Sequence, residues 1–355
     1  MKQSENIRFG NANNNNWRTH MQGTKFWDFH SLAGKVMIAV TGVLLSGGMV
    51  VADASEWRVV EASDGTGVHY QYWAAPSKPH AVVQVVHGAA EHSARYDRFA
   101  QFLNSHGYAV YATDHRGHGR TRVRSNELGD AGPDSWNHFV KDEMQLSAVI
   151  RDEHPSADLV LFGHSLGSFM AQDYITRRPE LIDGLVLSGT AYRPPPPQDL
   201  LDALDAAAEQ APLADSEIWA GIFTDFNKPF SDEPGFQWLS RDQAEVQKYV
   251  DDPLSGFAFS NELVRDYFQG MADLRDPARE QEIPQDLPVL VIQGALDPVG
   301  GNLEATRVLL ERFKELGLTR VDHEFYDDAR HELLNETNRE QVQKDVLAWL
   351  NDLTR

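Results

Sequence analysis

Short apolar runs recur along the chain at Ala81–Val86, Tyr108–Ala112, Leu159–Phe162 and Leu181–Leu187, with helix-like segments between them. Runs of this length, rich in β-branched residues and apolar on both faces, are the pattern of strands buried from both sides. Between them, Arg95–Ser105 carries Tyr96, Phe99, Phe102 and Leu103 at helical spacing and ends at His106-Gly107. Ser135–Arg151 and Leu166–Thr176 read as further helices. Strands that alternate with helices must pair through crossovers. The chain therefore predicts an α/β fold, a mostly parallel sheet with helices on both faces and ligands at the carboxyl ends of its strands. Ahead of these runs, Trp57–Val60 and Val68–Trp73 alternate like antiparallel strands around Asp64-Gly65. Pro288–Ile292 and Val321–Phe325 continue the strand pattern, with helices over Leu303–Leu316 and from about Arg339 to Leu350.

The pattern breaks between Thr190 and Pro288, a stretch without buried-strand character. It opens on Pro194-Pro195-Pro196-Pro197, a stiff extended exit, and continues with helical pieces such as Leu200–Glu209. So long a stretch inside a domain should be a subdomain. Residues 191–286, inserted after the sixth strand, are expected to form a helical lid over the carboxyl edge, dividing a core of 55–190 and 287–355. Trp219, Phe223, Phe226, Phe230, Phe236, Trp238, Phe257 and Phe259 fall in it. Most are expected to form the lid's own core, with a few lining an acyl pocket.

The net charge is −21 and most of the excess lies between Ala191 and Asp286. Such a surface repels nucleic-acid phosphates and anionic membranes, so no nucleic-acid partner is expected. The chain has no cysteine, which excludes disulfides, thiolate metal sites and a cysteine nucleophile. Residues 1–35 are polar, include Asn13-Asn14-Asn15-Asn16, and read as a disordered leader or a mis-called start. Lys35, the apolar run Val36–Val51 and Ala52-Asp53-Ala54 together resemble a secretory signal over 36–54. Export to the periplasm follows if that signal is real, and a cytoplasmic protein follows if translation starts downstream, at Met21, Met37 or Met49. A membrane anchor is the third reading, although the run is short for a span.

Gly163-His164-Ser165-Leu166-Gly167 sits between the strand Leu159–Phe162 and a helix. A strand, a sharp turn bearing one serine and a helix together lift the serine hydroxyl clear of the sheet edge. A serine needs a base, and the base needs an orienting acid. After Ser165 the chain offers only His323 and His331. His323 lies inside a strand, whereas His331 follows the last strand in a loop and is the expected base. Asp297, directly after the buried strand Val289–Ile292, is the expected acid. Asp327 and Asp328 are nearer in sequence, but on the same short loop they cannot easily reach the far ring nitrogen. Backbone N–H groups of Leu166 and of Ala89, in the loop after Ala81–Val86, are the expected oxyanion donors. His87 and His92 lack a carboxylate–histidine cluster at ligand spacing, so neither a metal nor a cofactor is expected.

These residues together resemble the monoacylglycerol lipase and lysophospholipase branch of the serine α/β-hydrolases, from Glu56 to the C-terminus. Val86–Tyr96 resembles the family's oxyanion loop, Asp114–Gly119 one of its turns, and Gly163–Gly167 its nucleophile turn. Trp238–Asp242 with Asp252-Pro253-Leu254 resembles lid segments of bacterial members, and Asp297 and His331 fall where the family keeps acid and base. Leu166 and Ser168 stand where the family commonly has methionine and glycine. Leu166 keeps the backbone donor, while Ser168 tightens helix packing or reshapes the pocket floor. The resemblance implies an α/β-hydrolase fold and cofactor-free hydrolysis of single-chain acyl esters, monoacylglycerols above all, through an acyl-enzyme on Ser165. A lysophospholipase, a broad carboxylesterase and an N-terminal peptidase share the scaffold and stay open. A non-catalytic binding protein is the reading outside the class. The expected partner is a small lipid or ester, with transient lid contact with lipid surfaces compatible and the oligomeric state unread.

Overall fold

The structure is a computed structural model that describes residues 55–230 and 235–354, all within the unit Val51–Arg355. The expectations for a leader over 1–35 and a signal over 36–54 lie outside the described residues.

Eight strands form one sheet in the order β1-β2-β4-β3-β5-β6-β7-β8. They are β1 (Glu56–Glu61), β2 (Gly67–Trp73), β3 (Ala81–Val86), β4 (Tyr108–Thr113), β5 (Asp158–His164), β6 (Gly184–Ser188), β7 (Val289–Gly294) and β8 (Val321–Tyr326). β2 runs antiparallel to β1 and β4, and every other pairing is parallel. The helices that flank the sheet are α1 (Asp97–Asn104), α2 (Ser135–Glu153), α3 (Leu166–Arg177), α9 (Glu304–Glu315) and α10 (Arg339–Leu353). Between β6 and β7 come α4 (Gln198–Gln210), α5 (Glu217–Asn227), α6 (Gln243–Asp251), α7 (Asn261–Asp273) and α8 (Pro277–Glu280). This is the α/β-hydrolase fold. Among the described residues no helix is long and apolar enough to cross a membrane.

The central strands β3, β4, β5, β6 and β7 are buried almost throughout, which accounts for their legibility. β3 carries one polar residue, Gln84, whose buried amide donates to the Glu143 carbonyl and carboxylate on α2. That pairing removes the desolvation cost of a polar group inside an apolar strand. The sixth strand begins later than its apolar pattern suggests. Pro179–Leu181 forms a 3₁₀ turn in which the Leu181 N–H bonds the Arg178 carbonyl, so the backbone of Leu181 is used before the sheet starts.

Helix starts in the insert follow from capping chemistry. Ser216, Asp242, Ser260 and Asp276 each accept a backbone N–H of the first turn, ahead of α5, α6, α7 and α8. The insert's rings join the core of the molecule. Trp219 stacks on Phe259 with ring centres 4.4 Å apart, and Trp238 meets both Phe223 and Phe226.

Candidate active site

The turn between β5 and α3 holds Ser165 at φ 52° and ψ −119°, a left-handed conformation that costs a non-glycine residue energy. Surrounding contacts keep it there: the Ser165 N–H donates to the Ser188 carbonyl on β6, and its carbonyl accepts from the Ser168 N–H. The flanking glycines are required by close approach. A Cβ on Gly167 would stand 2.1 Å from the Val86 carbonyl oxygen, and one on Gly163 2.5 Å from that of Gly167. Ser168 is fully buried, and its hydroxyl donates to the Ser165 carbonyl at 2.6 Å. It does not line the cavity above the serine, so it tightens the turn and leaves the pocket floor to others.

Two loops that follow neighbouring parallel strands bring Asp297 and His331 together. The Ala295 N–H bonds the Tyr326 carbonyl and the Leu296 N–H bonds that of Ala329, which ties the loop after β7 to the loop after β8. Asp297 Oδ2 then lies 2.8 Å from His331 Nδ1, with both side chains buried. The other Asp297 oxygen accepts the Val299 N–H at 2.8 Å. His331 Nε2 is a buried nitrogen with no hydrogen-bond partner among the described residues. With Nδ1–H given to Asp297, that nitrogen is left as a free acceptor. Gly189, at φ 61°, leaves room for His331: a Cβ there would sit 2.8 Å from the imidazole.

Ser165, Leu166, Ala89 and His331 line one cavity of about 470 Å³, and Asp297 supports it from behind. The first N–H groups of α3, Leu166 among them, have no partner within the helix. The sequence-predicted site residues therefore meet in one place. His323 is exposed on the edge strand β8, and Asp327 and Asp328 are exposed on the turn before the base. Of the insert's aromatics, Trp219, Phe223, Phe226 and Trp238 line the cavity, while Phe257 and Phe259 pack behind it.

Several site neighbours escaped the sequence reading. Gln293 Nε2 donates to Asp297 Oδ2 at 2.6 Å. Arg95 is held between the carboxylates of Glu91 and Glu332, and Glu91 also accepts the Gly88 N–H. Burial would raise the Glu332 carboxyl, but Arg95 outweighs it and holds the group at about 2. His164 is pushed down to about 4, first by burial and then by the neighbouring His331. The position of Glu91 within the oxyanion loop was a usable signal. Arg95 and Glu332 are 237 residues apart, and nothing local links them.

A strained serine between a strand and a helix, lining one largely apolar cavity with the histidine of a buried Asp–His pair, fits a serine hydrolase, the class to which the chain belongs. The chain belongs to the family described as serine aminopeptidase, S33, whose model matches residues 77–338, and to its monoglyceride lipase-like α/β-hydrolases. It is 28% identical to the monoacylglycerol lipase of Mycolicibacterium smegmatis over 81% of this chain and 93% of that one. With the monoglyceride lipase of Mus musculus it shares 27% identity over 81% of this chain and 88% of that one. Among solved structures, a thermostable carboxyl esterase from Bacillus coagulans in complex with glycerol superposes with a TM-score of 0.78. Identity there is 26%, covering 85% of this chain and 99% of that one.

Proposed function

We propose that this α/β-hydrolase cleaves single-chain acyl esters, monoacylglycerols foremost, to a fatty acid and glycerol. The observation that carries the reading is the largely apolar cavity whose floor is Ser165 and His331. In this scheme the acyl chain lies along Trp219, Phe223, Phe226 and Met271, and the ester carbonyl rests over Ser165. Ser165 Oγ attacks the carbonyl carbon while His331 Nε2 takes its proton, and Asp297 stabilises the imidazolium without accepting that proton. The N–H groups of Ala89 and Leu166 receive the oxyanion. Collapse of the tetrahedral species breaks the bond to glycerol, which leaves with the proton from His331. Water, deprotonated by the same histidine, then hydrolyses the acyl-serine and restores both groups.

The acidic groups that line the cavity favour an ester over a peptide amine. Glu91 and Glu332 are committed to Arg95, and Asp225 pairs with Lys228. A substrate ammonium that sought Glu91 or Glu332 would have to displace Arg95.

The test compares turnover of a long-chain monoacylglycerol, a lysophosphatidylcholine and a short p-nitrophenyl ester, with fluorophosphonate labelling of Ser165. The monoacylglycerol is expected to turn over fastest, and Ser165→Ala to abolish labelling. Asp297→Asn and His331→Ala should each remove most activity, on the order of 10⁴-fold, without unfolding the chain. Equal rates on the three esters would sink the glyceride assignment. A labelled protein that hydrolyses none of them would sink the ester reading.

A further inference from the structure

The turn after β3 is held at both backbone polar groups of Gly88 and of Ala90, on either side of Ala89. The Gly88 N–H donates to the Glu91 carboxylate, and the Gly88 carbonyl meets His87 Nδ1 at 2.8 Å. The Ala90 N–H donates to His118 Nε2 at 3.3 Å. The Ala90 carbonyl accepts twice, from the Gly256 N–H at 2.8 Å and from the Tyr249 hydroxyl at 3.0 Å. Ala89 lies between these anchored peptides, on the wall of the cavity.

Both donors to Ala90 come from the insert, at the end of α6 and just beyond it. Their neighbourhood is tied to the loop in other ways. His92 Nε2 lies 2.7 Å from an Asp252 oxygen, and the Arg95 guanidinium sits over the Tyr249 ring, 4.8 Å from its centre. The same part of the insert also grips the base loop. The carbonyls of Trp238 and Leu239 accept the N–H groups of His331 and Glu332, and Arg330 donates to the carbonyls of Gln237 and Ser240.

We infer that residues 236–259 are a strut of the catalytic machinery and that Tyr249 is a positioning residue, holding the Ala90 peptide so that the Ala89 N–H faces the reacting carbonyl oxygen. The inference rests on the reading of Ala89 as an oxyanion donor. α5 and Met271 of α7 line the acyl cavity, whereas the segment from Phe236 to Phe259, which adds Trp238 and Tyr249 to the cavity wall, also braces the loops that carry the base and the oxyanion donor. Tyr249 is buried and its phenol is pushed up by that burial, so it remains a neutral donor. Its hydroxyl is one of two donors on one carbonyl, so its loss loosens the peptide without freeing it.

Tyr249→Phe keeps the ring on Arg95 and deletes only the hydroxyl. The expected result is a fall in kcat of roughly threefold to tenfold, the range for one net hydrogen bond, with KM unchanged. A trifluoromethyl ketone, whose hemiketal occupies the oxyanion site, should lose affinity by the same factor, while inhibition by free fatty acid should not change. Unchanged trifluoromethyl ketone affinity, or a loss confined to KM, would overturn the role. Ala89→Pro separates the two levels, because it deletes the donor itself and should cost on the order of 10²–10³-fold. A folded Ala89→Pro protein with near-native kcat would remove the oxyanion reading and this inference with it. A large loss there with a silent Tyr249→Phe would remove only the role of Tyr249.

Discussion

The Gln293 side-chain amide donates to the same Asp297 oxygen that faces His331, at 2.6 Å against 2.8 Å. Its own oxygen accepts the Thr190 N–H just beyond β6, so the amide cannot turn over without losing a buried bond. Gln293 thereby fixes the Asp297 carboxylate that pairs with His331. Gln293→Leu should leave the carboxylate free to rotate and lower kcat about tenfold to a hundredfold with little change in KM. Steady-state kinetics on a soluble ester checks this, and a native kcat would show that Val299 and His331 hold Asp297 unaided.

Gly167→Ala should fail for a different reason. Its Cβ would meet backbone oxygens of Val86 and His87 at 2.1 and 2.6 Å, and neither atom is the end of a flexible side chain. The expected cost is about 3 kcal/mol, the upper end for overpacking, together with loss of fluorophosphonate labelling. Urea unfolding gives the first quantity directly.

Ser168→Ala should behave as a stability mutation only. It removes the bond to the Ser165 carbonyl, which still accepts the Ser168 N–H, so roughly 1 kcal/mol is expected. Because the side chain is absent from the cavity wall, the order of preference along an acyl-chain-length series should stay the same. A reordered series would place Ser168 in substrate selection after all.

Stability should fall on acidification through buried histidines. Burial, reinforced by neighbouring His115, holds His118 at about 3, and burial with His331 holds His164 at about 4, against an ordinary 6.5. His118 Nε2 also accepts the Ala90 N–H, which a protonated ring could not do. The unfolded chain therefore binds protons that the native state refuses, and stability rises with pH in that window. The contribution is complete above pH 6.5 and is lost progressively as pH falls toward 4 and then 3, by about 1.4 kcal/mol per pH unit for each histidine. Glu332, held at about 2 against 4.5, adds to the loss at the acid end. Urea midpoints measured between about pH 7 and pH 4 test the sign, and a flat profile would refute it.

What the sequence determined by itself was local. A buried strand must be apolar on both faces, so β3 to β7 announced themselves, and with them the loops at their carboxyl ends. Ser165 and Asp297 were legible because each sits just beyond such an end, and His331 because it follows the last strand, the exposed edge strand β8. Polar groups whose meaning lies in a distant partner were silent. Gln84 answers to Glu143 on α2, Glu332 to Arg95, and Tyr249 to Ala90, across 59, 237 and 159 residues. The insert showed the same division. Its helical pieces and aromatic content were readable, but which rings line the cavity and which segment bonds to the loops after β3 and β8 depends on the tertiary packing of the insert. Hydrophobic burial acts on any apolar residue and leaves its signature in the pattern. A hydrogen bond or ion pair acts on one partner at one distance, and only the tertiary structure supplies that partner.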